Sequence, residues 1–207
     1  MSEQDWLVTN DSECIPFTDV PDDDTSEDWL TKPYRLYRFL TDLEDIIWQE
    51  SDDRLRLQRI CPLVRRLLNS SEWIFTSFLL PDPATGWSVQ LLYDEPDFPI
   101  TIQMVAWSPQ SVSPIHNHGA WGLVAILDGA EKNTFWQRSS TAEAPDQIKK
   151  TGEHCLLGGD ILCFMPDAIH QIEVMGDQPT ISFNVYGETD YTQRFEFDLE
   201  HNTAKIF

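Results

Sequence analysis

Between Trp87 and Leu199 the chain breaks into short apolar or alternating runs, each bounded by turn residues. The runs are Val89–Tyr93, Ile100–Trp107, Leu123–Leu127, Asn133–Trp136, Ile161–Phe164, Gln171–Val174, Thr180–Tyr186 and Arg194–Leu199. Asp94–Pro99, Pro109, Asp128–Gly129, Ala144–Asp146, Gly158–Gly159 and Gly176–Asp177 separate them. Runs this short cannot make core helices, and their frequent breaks predict an all-β sandwich or barrel.

The preceding stretch has a different period. Tyr34, Leu36, Tyr37, Phe39, Leu40, Leu43, Ile46 and Ile47 recur at three and four, which predicts an amphipathic helix over 34–49. Leu57, Ile60, Val64, Leu67 and Leu68 predict a second over 52–68. Asp52 and Asp53 favour its start, and Pro62 is expected to kink or split it. Both helices read as packing elements. Most of the Lys and Arg lie between Lys32 and Arg66 and read as solvated faces. Residues 1–31 contain no Lys or Arg and include the acidic run Asp22–Asp28, so they read as an acidic, partly disordered tail. Trp6, Leu7 and Trp29 are the residues able to pin parts of it to the body. Residues 32–207 are expected to form one domain, the helical pair followed by the barrel.

Charge narrows the partners. The 35 acidic side chains outnumber the 14 basic ones, for a net charge of −21. That balance argues against nucleic acid and anionic membranes, which need basic patches. No apolar run reaches the roughly 20 residues of a membrane span, and the start does not resemble an export signal. Cys14, Cys61, Cys155 and Cys163 show no paired spacing, so reduced thiols and a cytoplasmic location are expected.

The chemistry concentrates on histidine. His116 and His118 sit two apart in a strand-like run, and residues i and i+2 of a strand face the same way. Imidazole suits Fe, Zn, Ni and Cu. Among the remaining histidines, His170 is the best third ligand, because His170, Ile172 and Val174 alternate on one strand face. His154 reads as loop and His201 as polar tail. Most cupins, small β-barrel proteins, have a Glu after the HxH pair and before a glycine. Here Gly122 stands at the Glu position and Gly129 at the glycine. The ligand set is therefore three neutral imidazoles and no carboxylate. Such a set leaves about half of an octahedral Fe(II) shell open, and the metal keeps its full charge for an anionic ligand such as a thiolate. Three histidines also hold catalytic Zn(II).

With Pro114-Ile-His116-Asn-His118, Trp121-Gly122, Leu127-Asp-Gly129-Ala-Glu131, Ile169-His170 and Ser182-x-Asn184-x-Tyr186-Gly187, the segment from Tyr34 to about Asp198 resembles the thiol dioxygenases. It is closer to the bacterial 3-mercaptopropionate branch than to animal cysteine dioxygenase. The resemblance implies a mainly β fold, a cupin double-stranded β-helix barrel preceded by two α-helices. It implies one Fe(II) per chain on His116, His118 and His170. It also implies that a small thiol such as 3-mercaptopropionate or cysteine is converted with O2 to its sulfinic acid. Animal cysteine dioxygenase has a cysteine cross-linked to the active-site tyrosine where this chain has Gly122, so no cross-link is expected.

The family's Ser-x-His-x-Tyr relay corresponds to Ser182, Asn184 and Tyr186, which share one strand face. Asn184 can bridge Ser182 and Tyr186 by hydrogen bonds but cannot shuttle a proton as histidine does. The family anchors the substrate carboxylate with Arg or Gln. Here Gln90 and Arg194 are the candidates, and Trp121 is a candidate pocket wall. Two other readings remain open: a cupin metalloenzyme acting on a non-thiol substrate with another metal, and a metal-binding cupin without turnover.

Overall fold

The computed structural model describes residues 4–17, 33–76 and 80–207. The acidic run Asp22–Asp28, with Trp29, lies outside them. Contacts divide the chain into two compact units, one of residues 1–16 with 79–207 and one of residues 17–78.

In the second unit, α1 (Leu36–Gln49) buries Phe39, Leu43 and Ile46. The following helix, α2 (Asp53–Ser70), buries Leu57, Ile60, Cys61, Val64 and Leu67. These are the three- and four-residue spacings that drive an amphipathic helix to pack. Asp52 caps α2, its side chain accepting from the Leu55 N–H at 2.9 Å. Pro62 lies inside α2 and does not split it. The buried stripe on both sides of Pro62 holds the helix together across the one backbone donor that proline lacks. A short helix, α3 (Glu72–Thr76), follows.

The first unit is a two-sheet barrel. Its strands are β1 (Asp5–Val8), β2 (Cys14–Pro16), β3 (Trp87–Glu95), β4 (Phe98–Trp107), β5 (Ile115–His116), β6 (Gly122–Asp128), β7 (Ala130–Arg138), β8 (Ile148–Leu157), β9 (Ile161–Phe164), β10 (Ile169–Val174), β11 (Thr180–Tyr186), β12 (Phe195–Asp198) and β13 (Thr203–Ile206). One sheet has the order β2-β1-β9-β6-β11-β4-β3 and the other β13-β12-β5-β10-β7-β8. Their inner faces meet in a cluster of Val8, Val124, Ile126, Phe135, Leu156, Leu162, Phe164 and Ala168, drawn from both sheets. The fold is mainly β, two facing sheets in a double-stranded β-helix arrangement, with helices before the main run of strands.

Within the expected acidic tail, Leu7 packs into the body. Asp5–Val8 pairs in parallel with β9 and places Leu7 and Val8 fully inside. Four residues with two apolar anchors suffice here, because the β9 edge supplies a ready ladder of backbone partners. His154 also moves from the expected loop to β8, where its ring lies 3.9 Å from that of Trp6. Cys14, Cys155 and Cys163 are free thiols. No helix among the described residues is long and apolar enough to cross a membrane.

Candidate metal centre

His116 closes β5 and stands directly opposite His170 of β10 in the antiparallel ladder. Directly opposed residues in such a ladder bring their Cβ atoms to about 5 Å. The two imidazole centroids are accordingly 4.7 Å apart. His118 lies beyond the end of β5, so it does not share a strand with His116 as the alternation implied. Asn117 supplies what the missing ladder would have. Its Nδ2 donates to the Gln193 carbonyl at 2.7 Å, and its Oδ1 accepts from the Phe195 N–H at 2.7 Å. With Asn117 stitched outward, His118 turns inward. Its ring centroid is 5.0 Å from that of His116 and 5.1 Å from that of His170. The ligand nitrogens of the three residues all lie within 4.8 Å of one another.

The ring nitrogens are sorted for coordination. The His116 Nδ1–H donates to the Pro114 carbonyl at 3.0 Å. The His170 Nδ1–H donates to Asn133 Oδ1 at 2.8 Å, and Asn133 Nδ2 donates to Glu131 Oε1 at 3.1 Å. Both histidines thus turn an Nε2 lone pair toward the shared point. The His118 and His170 Nε2 atoms are 3.0 Å apart, which matches two ligands at right angles on a metal held at about 2.1 Å. Burial holds the His116 imidazole down at about 4 and those of His118 and His170 well below the usual histidine range. All three are neutral ligands at neutral pH, and the residues present fit a divalent transition metal. Phe164 forms the floor, 4.4 Å from the His170 ring and 5.4 Å from the His118 ring.

The triad opens into a cavity of about 750 Å³. Ser182, Asn184, Tyr186 and Arg194 line it together with the histidines. The Tyr186 ring stacks on His118 at 4.9 Å and 25°. Asn184 Nδ2 donates to Tyr186 Oη at a long 3.5 Å, while Asn184 Oδ1 is buried with no partner among the described residues. The bridge expected from Ser182 through Asn184 to Tyr186 is therefore half made. Burial raises the Tyr186 hydroxyl above its usual range, so it stays protonated. Arg194 places its guanidinium 4.6 Å over the Phe207 ring, and Phe207 in turn lies 5.5 Å from His116.

Two expected residues lie elsewhere. Gln90 is exposed and outside the cavity lining; its neighbour Val89 faces in, and Gln103 on β4 holds the inner polar position. The register expected from sequence was one residue off, and β3 carries an irregularity between Leu91 and Tyr93. Trp121 is buried but does not line the cavity. Its indole covers Gly187, where an added Cβ would lie 2.3 Å from Trp121 Nε1, so its role is packing.

Three residues without an assigned role prove central. Glu131, 2% exposed, borders the cavity, and burial pushes its carboxyl up to about 7 against the pull of Asn133. Asn133 orients His170. Glu131, Asn133 and Phe135 alternate on the inner face of β7, so polar residues at buried strand positions were the available signal. Phe207 closes over the site from beyond β13 and had no sequence signal.

No family model matches the chain. Among solved structures, it is similar to oxalate oxidase in complex with glycolate, at 10% identity and a TM-score of 0.40 over 55% of this chain and 56% of that one. The chain thus spans little more than half of that protein. A cupin superfamily protein from Desulfitobacterium hafniense aligns at 14% identity and a TM-score of 0.40, over 56% of this chain and 86% of that one. An uncharacterized conserved protein with a double-stranded β-helix domain, from Klebsiella pneumoniae subsp. pneumoniae, aligns at 14% identity and a TM-score of 0.42, over 56% and 82%.

Proposed function

We propose that the protein is a non-haem iron thiol dioxygenase, acting on a thiol that carries a carboxylate. The observation that carries this reading is a carboxylate-free group of three neutral histidines, with Arg194 and the Tyr186 hydroxyl on the same cavity. His116, His118 and His170 would hold Fe(II), which when bound supplies open positions for thiolate and O2 and the redox path between them. The overall step adds both oxygen atoms to sulfur, R–S⁻ plus O2 giving R–SO2⁻. Sulfur supplies all the electrons, so no outside reductant is needed.

The chain's own groups set the geometry. Arg194 offers a planar fork to the substrate carboxylate, and Phe207 under the guanidinium fixes its plane. The Tyr186 oxygen accepts from Asn184, which leaves its own proton to donate into the cavity. Fixed positive charge near the histidines favours a bound thiolate over a thiol. The test is oxygen uptake and product mass for the Fe(II) protein with 3-mercaptopropionate, cysteine and cysteamine. A sulfinate from at least one carboxylated thiol is expected, and its absence with all of them removes the reading.

The buried acid Glu131 favours a second reading, a non-thiol substrate that exchanges a proton at a different metal. Stoichiometric Zn or Ni in protein purified without added metal, with no response to thiols, selects it.

A further inference from the structure

The cavity has two chemically distinct ends. Strand register arranges the floor in rows across β11, β4 and β3. Tyr186 lies beside Thr101, Asn184 beside Gln103, and Ser182 beside Val105, with Trp107 one row further out. Val89 sits beside Val105 and Trp87 beside Trp107. The His118 ring stacks on Tyr186, so the histidines belong to the polar rows. On β4 and β3 these two rows are apolar, Val105 with Val89 and Trp107 with Trp87, while Ser182 and Thr180 are their β11 members; the Trp87 and Trp107 rings stand 5.9 Å apart. Val112 flanks the same cavity.

Trp87 is 44% exposed, Val89 39% and Val112 56%, an unusual concentration of open apolar surface beside a polar site. All of it is continuous with the histidine cavity, whose 750 Å³ is the size of pockets that hold drug-sized ligands. A three-carbon mercapto acid held at the histidines and Arg194 leaves the outer rows bare.

Resting on the thiol dioxygenase reading, we infer that the natural substrate is a mercapto acid with a long apolar substituent, whose tail lies along Val105, Val89, Trp107, Trp87 and Val112. Thiol and carboxylate occupy the polar end. From the Gln103 row to the Trp107 row is four strand residues, about 13 Å at ~3.3 Å per residue, a length that roughly ten methylenes span. Each fully buried methylene tightens binding by about fourfold, and an open groove yields part of that.

The probes are 3-mercaptopropionate bearing a methyl, hexyl or decyl group at carbon 2. Binding to the full-length Fe(II) protein is measured anaerobically by calorimetry, and oxygen uptake is measured separately. Kd is expected to fall at least tenfold from methyl to hexyl and further to decyl. Trp107→Ala and Trp87→Ser are each expected to abolish most of that gain while leaving the methyl compound's Kd and turnover unchanged. Trp87→Ser alters a half-exposed side chain, so it keeps the test sharp if Trp107→Ala fails to fold. A chain-length-independent Kd overturns the inference even when the thiols are oxidised. Loss of a self-associated state in Trp87→Ser by sedimentation, with the chain-length series unchanged, also overturns it and assigns the strip to a second copy. Chain-length-dependent binding with no oxidation of any thiol leaves the tail site standing and removes the dioxygenase reading instead.

Discussion

A Cβ built on Gly122 would lie 2.6 Å from Cδ1 and 2.8 Å from Cε1 of Tyr186. The two residues are register partners across β6 and β11. Only a residue without a side chain lets the tyrosine ring lie flat against the sheet and stack on His118. Gly122 therefore positions the cavity's hydroxyl group.

Gly122→Ala is expected to push Tyr186 off His118, costing about 1–3 kcal/mol of stability through overpacking and lowering kcat at least about tenfold. Iron content should be unchanged, because no histidine depends on the glycine. Tyr186→Phe keeps the stacking and loses the hydroxyl, with kcat expected to fall by about 10². Equal kcat in Gly122→Ala and wild type would remove the positioning role.

Asn133 Oδ1 accepts from His170 Nδ1 at 2.8 Å, and Asn133 is fully buried. Asn133→Leu frees the imidazole to take the wrong tautomer and is expected to weaken metal binding by 10–100-fold. Competitive metal titration checks it. The same variant strands the Glu131 carboxyl, so a lower melting temperature should accompany the change.

Two buried groups set opposite pH limits on the metal-free protein. His116 falls from 6.5 to about 4 on folding, so the unfolded chain takes up a proton first as pH drops. Its contribution is full above pH 6.5 and is lost between 6.5 and 4, about 3 kcal/mol at ~1.4 kcal/mol per pH unit. Glu131 rises from 4.5 to about 7, so the folded state holds its proton longer. Its contribution is full below pH 4.5 and is lost as pH rises through 7, again by about 3 kcal/mol. Denaturant melts across pH 4–8 should show Glu131→Gln removing the loss on the alkaline side while leaving the acid side in place.

Sequence displayed the features that repeat and hid those that occur once. The short runs announced a barrel because alternation persists over many strands, and His170 stood out because Ile172 and Val174 share its face. His118 reached the predicted place by another route, held by Asn117 rather than by a strand. Gln90 lies outside the cavity because a side chain changes face with every residue: Val89, one position away, lines the cavity, and the polar residue there is Gln103 of the neighbouring strand. Phe207 approaches the site through the β12–β13 pairing, a long-range relation that local pattern does not encode. At Pro62 the helix stays unsplit because packing on both sides of the proline outweighs one absent backbone donor.

Arg194 should separate carboxylated thiols from plain amines. Its Nε is buried without a partner among the described residues, and its guanidinium is held over Phe207, so the fork is oriented before any substrate arrives. A carboxylate paired with that fork gains a charge-assisted bond of about 1.5–3 kcal/mol. Arg194→Ala is therefore expected to raise KM for 3-mercaptopropionate by roughly 10- to 100-fold. Cysteamine, which has no carboxylate, should lose nothing by the change, since the residue repels its ammonium. Arg194→Lys keeps the charge but loses the planar fork and the stacking, and should recover only part of the loss. Phe207→Ala lets the guanidinium swing and should raise KM in the same direction by a smaller factor. Kinetics with both thiols decide the point: parallel losses for the two substrates would mean that Arg194 supports the fold rather than the carboxylate.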